Sequence, residues 1–409
     1  MSAVFFDVII LGAGAAGLFC AAEAGARGRR VLLLDHASRL GERIRISGGG
    51  RCNFSNRDVS AENYLSQNPH FCRSALARFT PADFIARLER RGIPWREREH
   101  GRLFCERTAQ DVTDMLLDAC ETAGVERIHP CVVDSVARRS GAAGVRFEVV
   151  TDRGRWRCAA LVVATGGVAV PKLGASPFGY RLAEQFGIAV VPPKAALVPL
   201  ALPPDVLSAL KPLSGVSVAA ETHLQGHRRV PGGRFREDVL VTHRGLSGPA
   251  ILQISSYWQM QDYAAGPRRP LRIDLLPDTD AHEWLQAQVR SKALLANVLA
   301  ERLPRRFAHE WCALHGFTKP LNELARRDLI AVAQALNGWE IMPSGTLGYA
   351  KAEVTLGGVD TRALSSQNLE AKAVPGLFFI GEVVDVTGWL GGYNFQWAWA
   401  SGWAAGQAV

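Results

Sequence analysis

The first forty residues carry the pattern that restricts the fold more than any other feature of the chain. An apolar run from Val4 to Leu11 leads into Gly12, Gly14 and Gly17, and a second apolar run ends at Asp35. This is the order strand, glycine turn, helix, strand. Gly12 permits a tight turn, Gly14 lets the backbone approach a pyrophosphate, and Gly17 allows close helix-strand packing. The pattern predicts a dinucleotide-binding fold in which the carboxylate holds the hydroxyls of a ribose without a 2′-phosphate.

Two later predicted strands also end at glycine-containing turns. One runs from Trp156 to Val163 and stops at the sequence ATGG, residues 164–167, which is typical of two-dinucleotide-binding flavoproteins. Another begins at Gly376 and ends at Gly381-Glu382, and a last helix is predicted from Phe395 to Gln407. The positive end of such a helix would stabilise the negative charge of a reduced flavin. We therefore predict an α/β protein with a Rossmann-like FAD domain of the two-dinucleotide-binding class.

The middle of the chain has a different character. Residues 191–276 contain paired prolines and short alternating stretches, which favour a β-rich region, whereas residues 277–345 have helical spacing. The predicted organisation is an FAD-binding domain formed by residues 1–190 and 346–409, interrupted by an inserted substrate region with a β-rich part and a helical part. A length of 409 residues agrees with two or three domains.

Composition limits the environment and the partners. The chain has 47 Lys and Arg residues and 39 Asp and Glu residues, which gives a net charge of +8. This charge is equally compatible with an enzyme that binds a polyanion and with a basic enzyme that does not. The eight cysteines form no CxxC pair, so we predict no metal site and no thioredoxin-like redox pair. Scattered thiols suit a reducing cytoplasm, and no apolar run is long enough to predict a membrane span. The oligomeric state stays open.

Longer motifs connect the chain to a known family. They read ISGGGRCN at 46–53, GRLFC at 101–105, LGASPFGY at 173–180, VTHRGLSGP at 241–249, AEVTLGG at 352–358 and the stretch 381–396, which ends in GGYNFQ. By these motifs the chain resembles the bacterial YhiN-like flavoproteins, also called the BaiN/RdsA family, over nearly its whole length. The resemblance is closest to the YhiN branch and implies NAD(P)H-dependent reduction of a uridine in large-subunit (23S) ribosomal RNA to dihydrouridine. Other branches are associated with aminoacetone oxidation and with reduction of unsaturated steroid rings.

The resemblance also implies noncovalent FAD and the residues that bind it. These are Gly12, Gly14, Ala15, Ala16, Gly17, Asp35, His36, Arg43, Ser47, Gly48, Gly49, Gly50, Arg51, Cys52, Asn53, Val133, Thr165, Gly166, Gly167, Gly381, Glu382, Gly391, Gly392, Tyr393 and Asn394. Three consecutive glycines support this, because they expose backbone N–H donors without a side chain to block a flat ring. Arg51 can offset phosphate or flavin charge. Because there is no second GxGxxG, NAD(P)H is expected to dock transiently at the flavin.

Reduction of uracil needs a proton at C5 as well as a hydride at C6, so an acid must face the ring. Cys105, at a position where much of the family carries proline, is the first candidate, and Cys52, within the flavin loop, is the second. Buried cysteines also serve simply as packing. His243 and Arg244 are candidates to hold a substrate carbonyl or phosphate, or they form an interior polar turn. Trp389 is the preferred residue to stack a flipped base.

Basic residues cluster in several places. Those between Arg96 and Arg102 alternate with glutamates and indicate a solvated face. The clusters of the insert carry fewer carboxylates and predict a surface that follows RNA phosphates; they comprise His227–Arg229, Arg234, Arg236, Arg268–Arg269 and Arg302–Arg306. Trp258, Trp311 and Tyr393 are further stacking candidates, although aromatic side chains also fill cores. Besides the reductase, the sequence leaves open an amine oxidase and a flavin-containing ribosome assembly factor.

Overall fold

The computed structural model describes residues 4–139, 144–226 and 231–409. The strands are β1 (Val4–Leu11), β2 (Val31–Leu34), β3 (Asn53–Asn56), β4 (Tyr64–Leu65), β5 (Trp95–Arg98), β6 (Arg102–Cys105), β7 (Glu126–Ile128), β8 (Val133–Arg138), β9 (Phe147–Thr151), β10 (Gly154–Val163), β11 (Val190–Ala196), β12 (Leu200–Ala201), β13 (Ser217–Leu224), β14 (Gly233–Thr242), β15 (Gly245–Ser247), β16 (Leu271–Asp274), β17 (Trp339–Ile341), β18 (Gly345–Thr346), β19 (Val354–Val359), β20 (Leu377–Phe379) and β21 (Thr387–Gly388). The helices are α1 (Ala15–Ala26), α2 (Glu42–Ile46), α3 (Arg73–Arg78), α4 (Pro81–Arg90), α5 (Gln110–Thr122), α6 (Phe178–Gln185), α7 (Pro204–Leu210), α8 (Pro249–Met260), α9 (Ala281–Ala287), α10 (Leu295–Leu299), α11 (Arg305–Leu314), α12 (Arg326–Asn337) and α13 (Tyr393–Gly406).

The chain divides into two units. The first comprises the residues up to Lys194 together with Val354–Val409, and the second comprises Ala195–Glu353. The sequence placed the corresponding boundaries at residues 191 and 345. The difference at the second boundary reflects β18, because this strand and the residues after it remain with the second unit.

The central sheet of the first unit has the strand order β7-β2-β1-β10-β9-β8, with β20 also paired to β10. The strands β7, β2, β1, β10 and β20 are parallel to one another, whereas β8, β9 and β10 form an antiparallel meander. The continuous burial of β2 and of the second half of β1 follows from apolar side chains on both faces, as expected for a parallel sheet. The α/β fold predicted from the glycine pattern is confirmed.

Helices α1 and α13 pack closely because the last helix carries glycines where they meet. A Cβ added at Gly402 would come within 2.7 Å of the Ala16 carbonyl oxygen, and one at Gly406 within 3.1 Å of the Cys20 carbonyl oxygen. Without these side chains the two backbones approach each other directly. The helix that follows the GGYN turn is therefore fixed against the helix that follows the first glycine turn.

The second unit contains a sheet in the order β17-β16-β13-β14-β15-β12-β18, in which adjacent strands pair antiparallel. Burial alternates along β13, as the alternating sequence predicts. Helix α8 lies on β13 and β14. Helices α9–α12 lie between β16 and β17 in the chain. The helical part predicted from the sequence is therefore followed by β17, a strand of the same sheet. Within the three described ranges, none of the helices is both long and apolar enough to cross a bilayer.

Candidate functional site

Four parallel strands of the first unit end at one edge of the central sheet. β1 pairs with β2 and β10, and β10 pairs with β20, all in parallel. Gly12 follows the end of β1, Asp35 the end of β2, and ATGG, residues 164–167, the end of β10; Gly381 lies two residues beyond β20. We call this edge the carboxyl edge. Ligands of open α/β sheets bind at such an edge, and the predicted motifs meet there.

The glycine turn after β1 is closed on one side and open on the other. A Cβ added at Gly12 or Gly17 would collide with neighbouring backbone atoms, whereas nothing lies within 4 Å of a Cβ added at Gly14. Ala15 and Ala16 begin α1, whose first N–H groups have no partner within the helix. A phosphate therefore has both room and donors beside Gly14.

Asp35 is held in a defined orientation by the backbone around it. Its Oδ2 accepts a hydrogen bond from the Ala13 N–H at 2.6 Å, and its Oδ1 accepts one from the Ala37 N–H at 2.7 Å. An ionised carboxylate has acceptor sites beyond these two. The side chain is thus preorganised, with capacity left for ribose hydroxyls.

His36 and Val133 lie near the same carboxylate. The exposed His36 ring places Nδ1 3.6 Å from the Asp35 Oδ1. The Cys131 N–H donates to the Asp35 carbonyl oxygen at 2.8 Å, and half-buried Val133 begins β8 two residues later. Both predicted residues therefore lie near the end of the site that would receive a ribose.

The ISGGGRCN segment forms a turn with an open side. Gly48, Gly49 and Gly50 have φ angles of 57°, 65° and 82°, a region that other residues occupy only with strain. Nothing lies within 4 Å of a Cβ added at Gly49 or Gly50. Ser47 fixes the start of the turn, because its Oγ donates to a carbonyl oxygen of α2 at 2.7 Å. Arg51 is exposed beside this open side.

Asn53 and Asn394 use their side chains to hold backbone turns. Oriented for hydrogen bonding, the Asn53 amide donates to two carbonyl oxygens at 3.0 Å each, and its oxygen accepts from the Gly392 N–H at 3.1 Å. The Asn394 Oδ1 accepts from the Gly388 N–H at 2.8 Å, and its Nδ2 donates to the Gly388 carbonyl oxygen at 3.0 Å. Asn53 therefore joins the ISGGGRCN turn to the GGYN turn, while Asn394 closes the GGYN turn itself.

The GGYN turn carries an aromatic cluster. Gly391 and Gly392 both have positive φ, and α13 begins at Tyr393. The buried Tyr393 ring packs against Tyr64 and Trp389, with centroid separations of 6.2 and 6.1 Å. Trp389 is only half-buried, so among these rings it is the one that offers a surface for stacking.

The end of β10 combines open and closed positions. A Cβ added at Gly166 meets nothing within 4 Å, whereas one at Gly167 would reach the Glu382 Oε1 at 2.8 Å, and one at Gly381 the Ala16 Cβ at 2.9 Å. The Thr165 Oγ1 is buried and has no hydrogen-bond partner within the described part of the chain. This oxygen faces Gly179, where an added Cβ would come within 2.2 Å of it, so the open space beside Gly166 is separate from the hydroxyl.

Thr355, which the sequence did not single out, connects the segments of this edge. Its Oγ1 accepts hydrogen bonds from the N–H groups of Val168 and Ala169 at 2.9 and 3.1 Å. Its N–H donates to the Glu382 Oε1 at 2.8 Å, and the Glu382 Oε2 accepts from the Arg43 guanidinium at 2.6 Å. The predicted residues Glu382 and Arg43 thus form an ion pair fixed by this threonine. Only its place in the AEVTLGG motif could have indicated it.

Cys52 and Cys105 lie together beneath the glycine turn. The Cys105 N–H donates to the Arg51 carbonyl oxygen at 3.0 Å, and both thiols are fully buried. Burial raises the pKa of Cys105 to about 12 and raises the pKa of Cys52 as well, so both thiols keep their protons at neutral pH. A proton donor must contact the substrate, so either thiol reaches it only if the surrounding chain opens.

A second carboxylate that the sequence did not single out is Asp385. It is buried, and its Oδ2 accepts from the Gln67 N–H at 2.8 Å and from the Ser66 hydroxyl at 3.3 Å. Burial raises the pKa of Asp385 to about 6. Across the described ranges, no group of three or more His, Cys, Asp or Glu residues is arranged to hold a metal ion.

His243 and Arg244 lie in the second unit, in the turn between β14 and β15. Both side chains are exposed, so the alternative of an interior polar turn does not describe them. The turn is closed by Thr242, whose Oγ1 donates to the Gly245 carbonyl oxygen at 2.9 Å and accepts from the Arg244 N–H at 3.2 Å.

The interpretation of the insert arginines as poorly compensated is wrong for three of the clustered residues. Arg234 pairs with Glu221 at 3.0 Å, Arg236 pairs with Asp278, and Arg268 pairs with Asp262 at 2.6 Å. These three carboxylates lie outside the basic clusters in the sequence, so the sequence prediction did not include them in the charge balance. The cluster His227–Arg229 lies outside the described residues. Trp258 and Trp311 were stacking candidates, but both are completely buried in the second unit and cannot contact a base.

Known proteins are similar to this chain over almost its whole length. The model of the HI0933-like protein Rossmann domain matches residues 6–408. A ribosomal RNA dihydrouridine synthase from Escherichia coli (strain K12) is 50% identical over 405 residues, covering 98% of this chain and 97% of the relative. One from Haemophilus influenzae is 43% identical, covering 99% and 98%. A 3-dehydro-bile acid delta(4,6)-reductase from Clostridium scindens is 28% identical, covering 98% of both chains.

Proposed function

The chain belongs to the HI0933-like family, and from this premise we propose that it is an FAD-dependent oxidoreductase that reduces a uridine of ribosomal RNA to dihydrouridine. One observation carries the proposal: half of all residues are identical to a ribosomal RNA dihydrouridine synthase along essentially the whole of both chains. The meeting of the predicted glycine turns at the carboxyl edge independently supports the FAD-binding part of the proposal, because it does not depend on the relative's name.

The residues at the carboxyl edge fit FAD. Space beside Gly14 and Gly166 admits the pyrophosphate, and Asp35 is oriented to accept ribose hydroxyls. Open space beside Gly49 and the adjoining glycine admits a flat ring. No His or Cys stands in a recognised attachment motif, so we propose that binding is noncovalent.

When bound and reduced, FAD supplies a hydride to an electron-poor carbon such as C6 of uracil. The balanced reaction is uridine plus NAD(P)H plus a proton giving dihydrouridine plus NAD(P)⁺. The chain must therefore position the base and supply the proton at C5. We propose that Trp389, half-buried beside the GGYN turn, stacks the base. The N-terminus of α13 carries a partial positive charge that stabilises negative charge nearby.

Cys105 remains our candidate for the proton donor. Its raised pKa keeps the thiol protonated, which a general acid requires, although its burial means that the Ser47–Asn53 turn must move before the thiol meets a substrate. We further propose that NAD(P)H docks transiently, because no second glycine fingerprint supplies a separate nicotinamide domain.

The test is mass spectrometry of ribosomal RNA from cells that lack the gene, compared with the same cells carrying it. We expect one uridine to lose its additional 2 Da and to regain it on complementation. Purified protein with NADPH or NADH should then convert that uridine anaerobically. Unchanged RNA together with lost amine consumption would favour an amine oxidase; unchanged RNA with defective ribosome assembly would favour a structural role. Heat-denatured protein should release yellow FAD, and FMN in its place would contradict the cofactor assignment.

A further inference from the structure

A group of arginines in the first unit differs in its charge balance from the paired arginines described above. Residues 131–158, which comprise β8, β9 and the first half of β10, contain six arginines against three carboxylates, a net charge of +3 out of +8 for the whole chain. Three of these guanidinium groups meet at one point of the sheet. We call Arg139, Arg155, Arg157 and the carboxylate between them, Glu148, the arginine face.

The register of the meander forms the arginine face. Glu148 on β9 lies opposite Arg157 on β10, and the Arg157 Nε donates to the Glu148 Oε2 at 2.9 Å. The Arg139 guanidinium donates to the other carboxylate oxygen, and the Arg155 Nη1 lies 3.6 Å from it. Hydrogen bonds from Arg139 and Arg157 hold the pKa of Glu148 below its usual range, so it stays charged.

One carboxylate therefore faces three cations, and a charge of +2 is left over. Glu148 is only 2% exposed, whereas the arginine side chains are 48%, 57% and 42% exposed in the order Arg139, Arg155, Arg157. The acid lies beneath and the cations project outward. A guanidinium has five N–H donors, and a shared carboxylate occupies few of them. The remaining acids of this segment, Asp134 and Asp152, are exposed, and Asp152 accepts from the Val132 N–H at 2.8 Å.

The arginine face lies away from the carboxyl edge. Arg157 and Val163 belong to the same strand, and six residues at about 3.3 Å each place them roughly 20 Å apart. A small substrate does not span that distance, whereas a folded polynucleotide does. Preoriented guanidinium groups with excess charge match phosphate oxygens, which they bind by charge-assisted hydrogen bonds.

We propose that the arginine face binds the phosphate backbone of the ribosomal RNA, at a segment remote from the reacting uridine. This rests on the proposed function for the identity of the RNA. The arginine face positions the substrate and takes no part in the chemistry.

The test compares two double variants of the holoenzyme. Arg139→Ala/Arg155→Ala leaves the Arg157–Glu148 pair intact, so no buried carboxylate is orphaned. Arg234→Ala/Arg236→Ala removes the same charge from second-unit arginines that are paired one to one. The probe is large-subunit ribosomal RNA from cells lacking the gene, and its affinity is measured across a range of salt concentrations. Thermal unfolding checks folding, and Arg155→Ala alone is the fallback if the first double variant is unstable.

We expect the slope of log affinity against log salt to decrease by about 1.4 to 1.8 in the first variant, 0.7 to 0.9 for each of two phosphates. KM for the RNA should rise while kcat, FAD content and the rate of flavin bleaching by NAD(P)H stay at wild-type values. Arg139→Lys/Arg155→Lys should retain the slope. An unchanged slope in the alanine variant, or an equal loss in the second-unit variant, would overturn the proposal.

These outcomes separate the two proposals. Wild-type protein that makes dihydrouridine, with an unchanged slope in Arg139→Ala/Arg155→Ala, contradicts the arginine face alone. Wild-type protein that binds RNA with the expected variant effect but makes no dihydrouridine contradicts the proposed function alone. Wild-type protein that makes no dihydrouridine and has no salt-dependent affinity for RNA contradicts both.

Discussion

Replacing Thr355 by valine removes one hydroxyl group from the centre of the carboxyl edge and preserves the shape of the side chain. The Thr355 Oγ1 is the acceptor for the N–H groups of Val168 and Ala169, which directly follow the ATGG turn. Thr355 is 1% exposed, so water does not replace the hydroxyl. We therefore expect Thr355→Val to destabilise the first unit and to weaken FAD binding together.

The magnitude follows from the two donors left without an acceptor. A buried unsatisfied N–H costs about 1–3 kcal/mol. Ala169 is buried and Val168 half-buried, so the first carries the larger share and the total is about 3 kcal/mol. For a unit of this size, that lowers the unfolding temperature by roughly 6–12 °C.

The assay is differential scanning calorimetry of the apoprotein, combined with the FAD content of the purified protein. Thr355→Ser is the matched control, because it keeps the acceptor and loses only a methyl group, at a cost of about 1 kcal/mol. If the valine and serine variants unfold at the same temperature and retain equal FAD, the hydroxyl does not hold the ATGG turn, and our interpretation of this network is wrong.

Three further predictions concern single side chains. Asp35→Ala should weaken FAD binding by roughly 1.5–3 kcal/mol, as titration of the apoprotein would measure, and unaltered affinity would remove the ribose role of this carboxylate. Cys105→Ala should leave anaerobic flavin bleaching unchanged and slow dihydrouridine formation by roughly 10²- to 10⁴-fold, whereas equal rates would assign the thiol to packing. Asp385 has its pKa raised to about 6, so the folded state holds this proton more tightly than the unfolded state does. As the pH rises from about 4 to about 6, the free energy of unfolding of the wild type should therefore fall by up to about 3 kcal/mol relative to that of Asp385→Asn. A difference between the two proteins that does not change with pH would contradict that pKa.

Local patterns were enough to predict the FAD-domain fold. The turn at Gly12, the strand that ends at Val163 and the helix after Gly392 each follow from apolar runs and glycine positions within about fifteen residues. The family resemblance placed Arg43 and Glu382 among the site residues, and the structure pairs them. These patterns did not predict which residue connects the segments at the carboxyl edge.

Thr355 could not be predicted because its partners are 27 to 187 residues away in the chain. The prediction of uncompensated arginines in the second unit was wrong at Arg236 for the same reason. Arg236 has its carboxylate at Asp278, on another part of the fold, and no local window contains both. The remaining error was the choice of Trp258 and Trp311 as stacking candidates. The local sequence around a tryptophan does not distinguish a buried core position from an exposed binding surface.

The pairing of β10 with β20 has a consequence for how the protein is made. Val163 and its partner Phe379 are separated by the entire second unit. At 5–20 residues per second, the ribosome delivers β20 roughly 10–40 s after β10, which is long compared with the folding of most domains. During synthesis the contiguous second unit has time to fold while β10 still exposes an unpaired edge. That nascent intermediate is the state most open to aggregation and to chaperone binding, and β20 can pair with the free edge only after translation has passed Phe379.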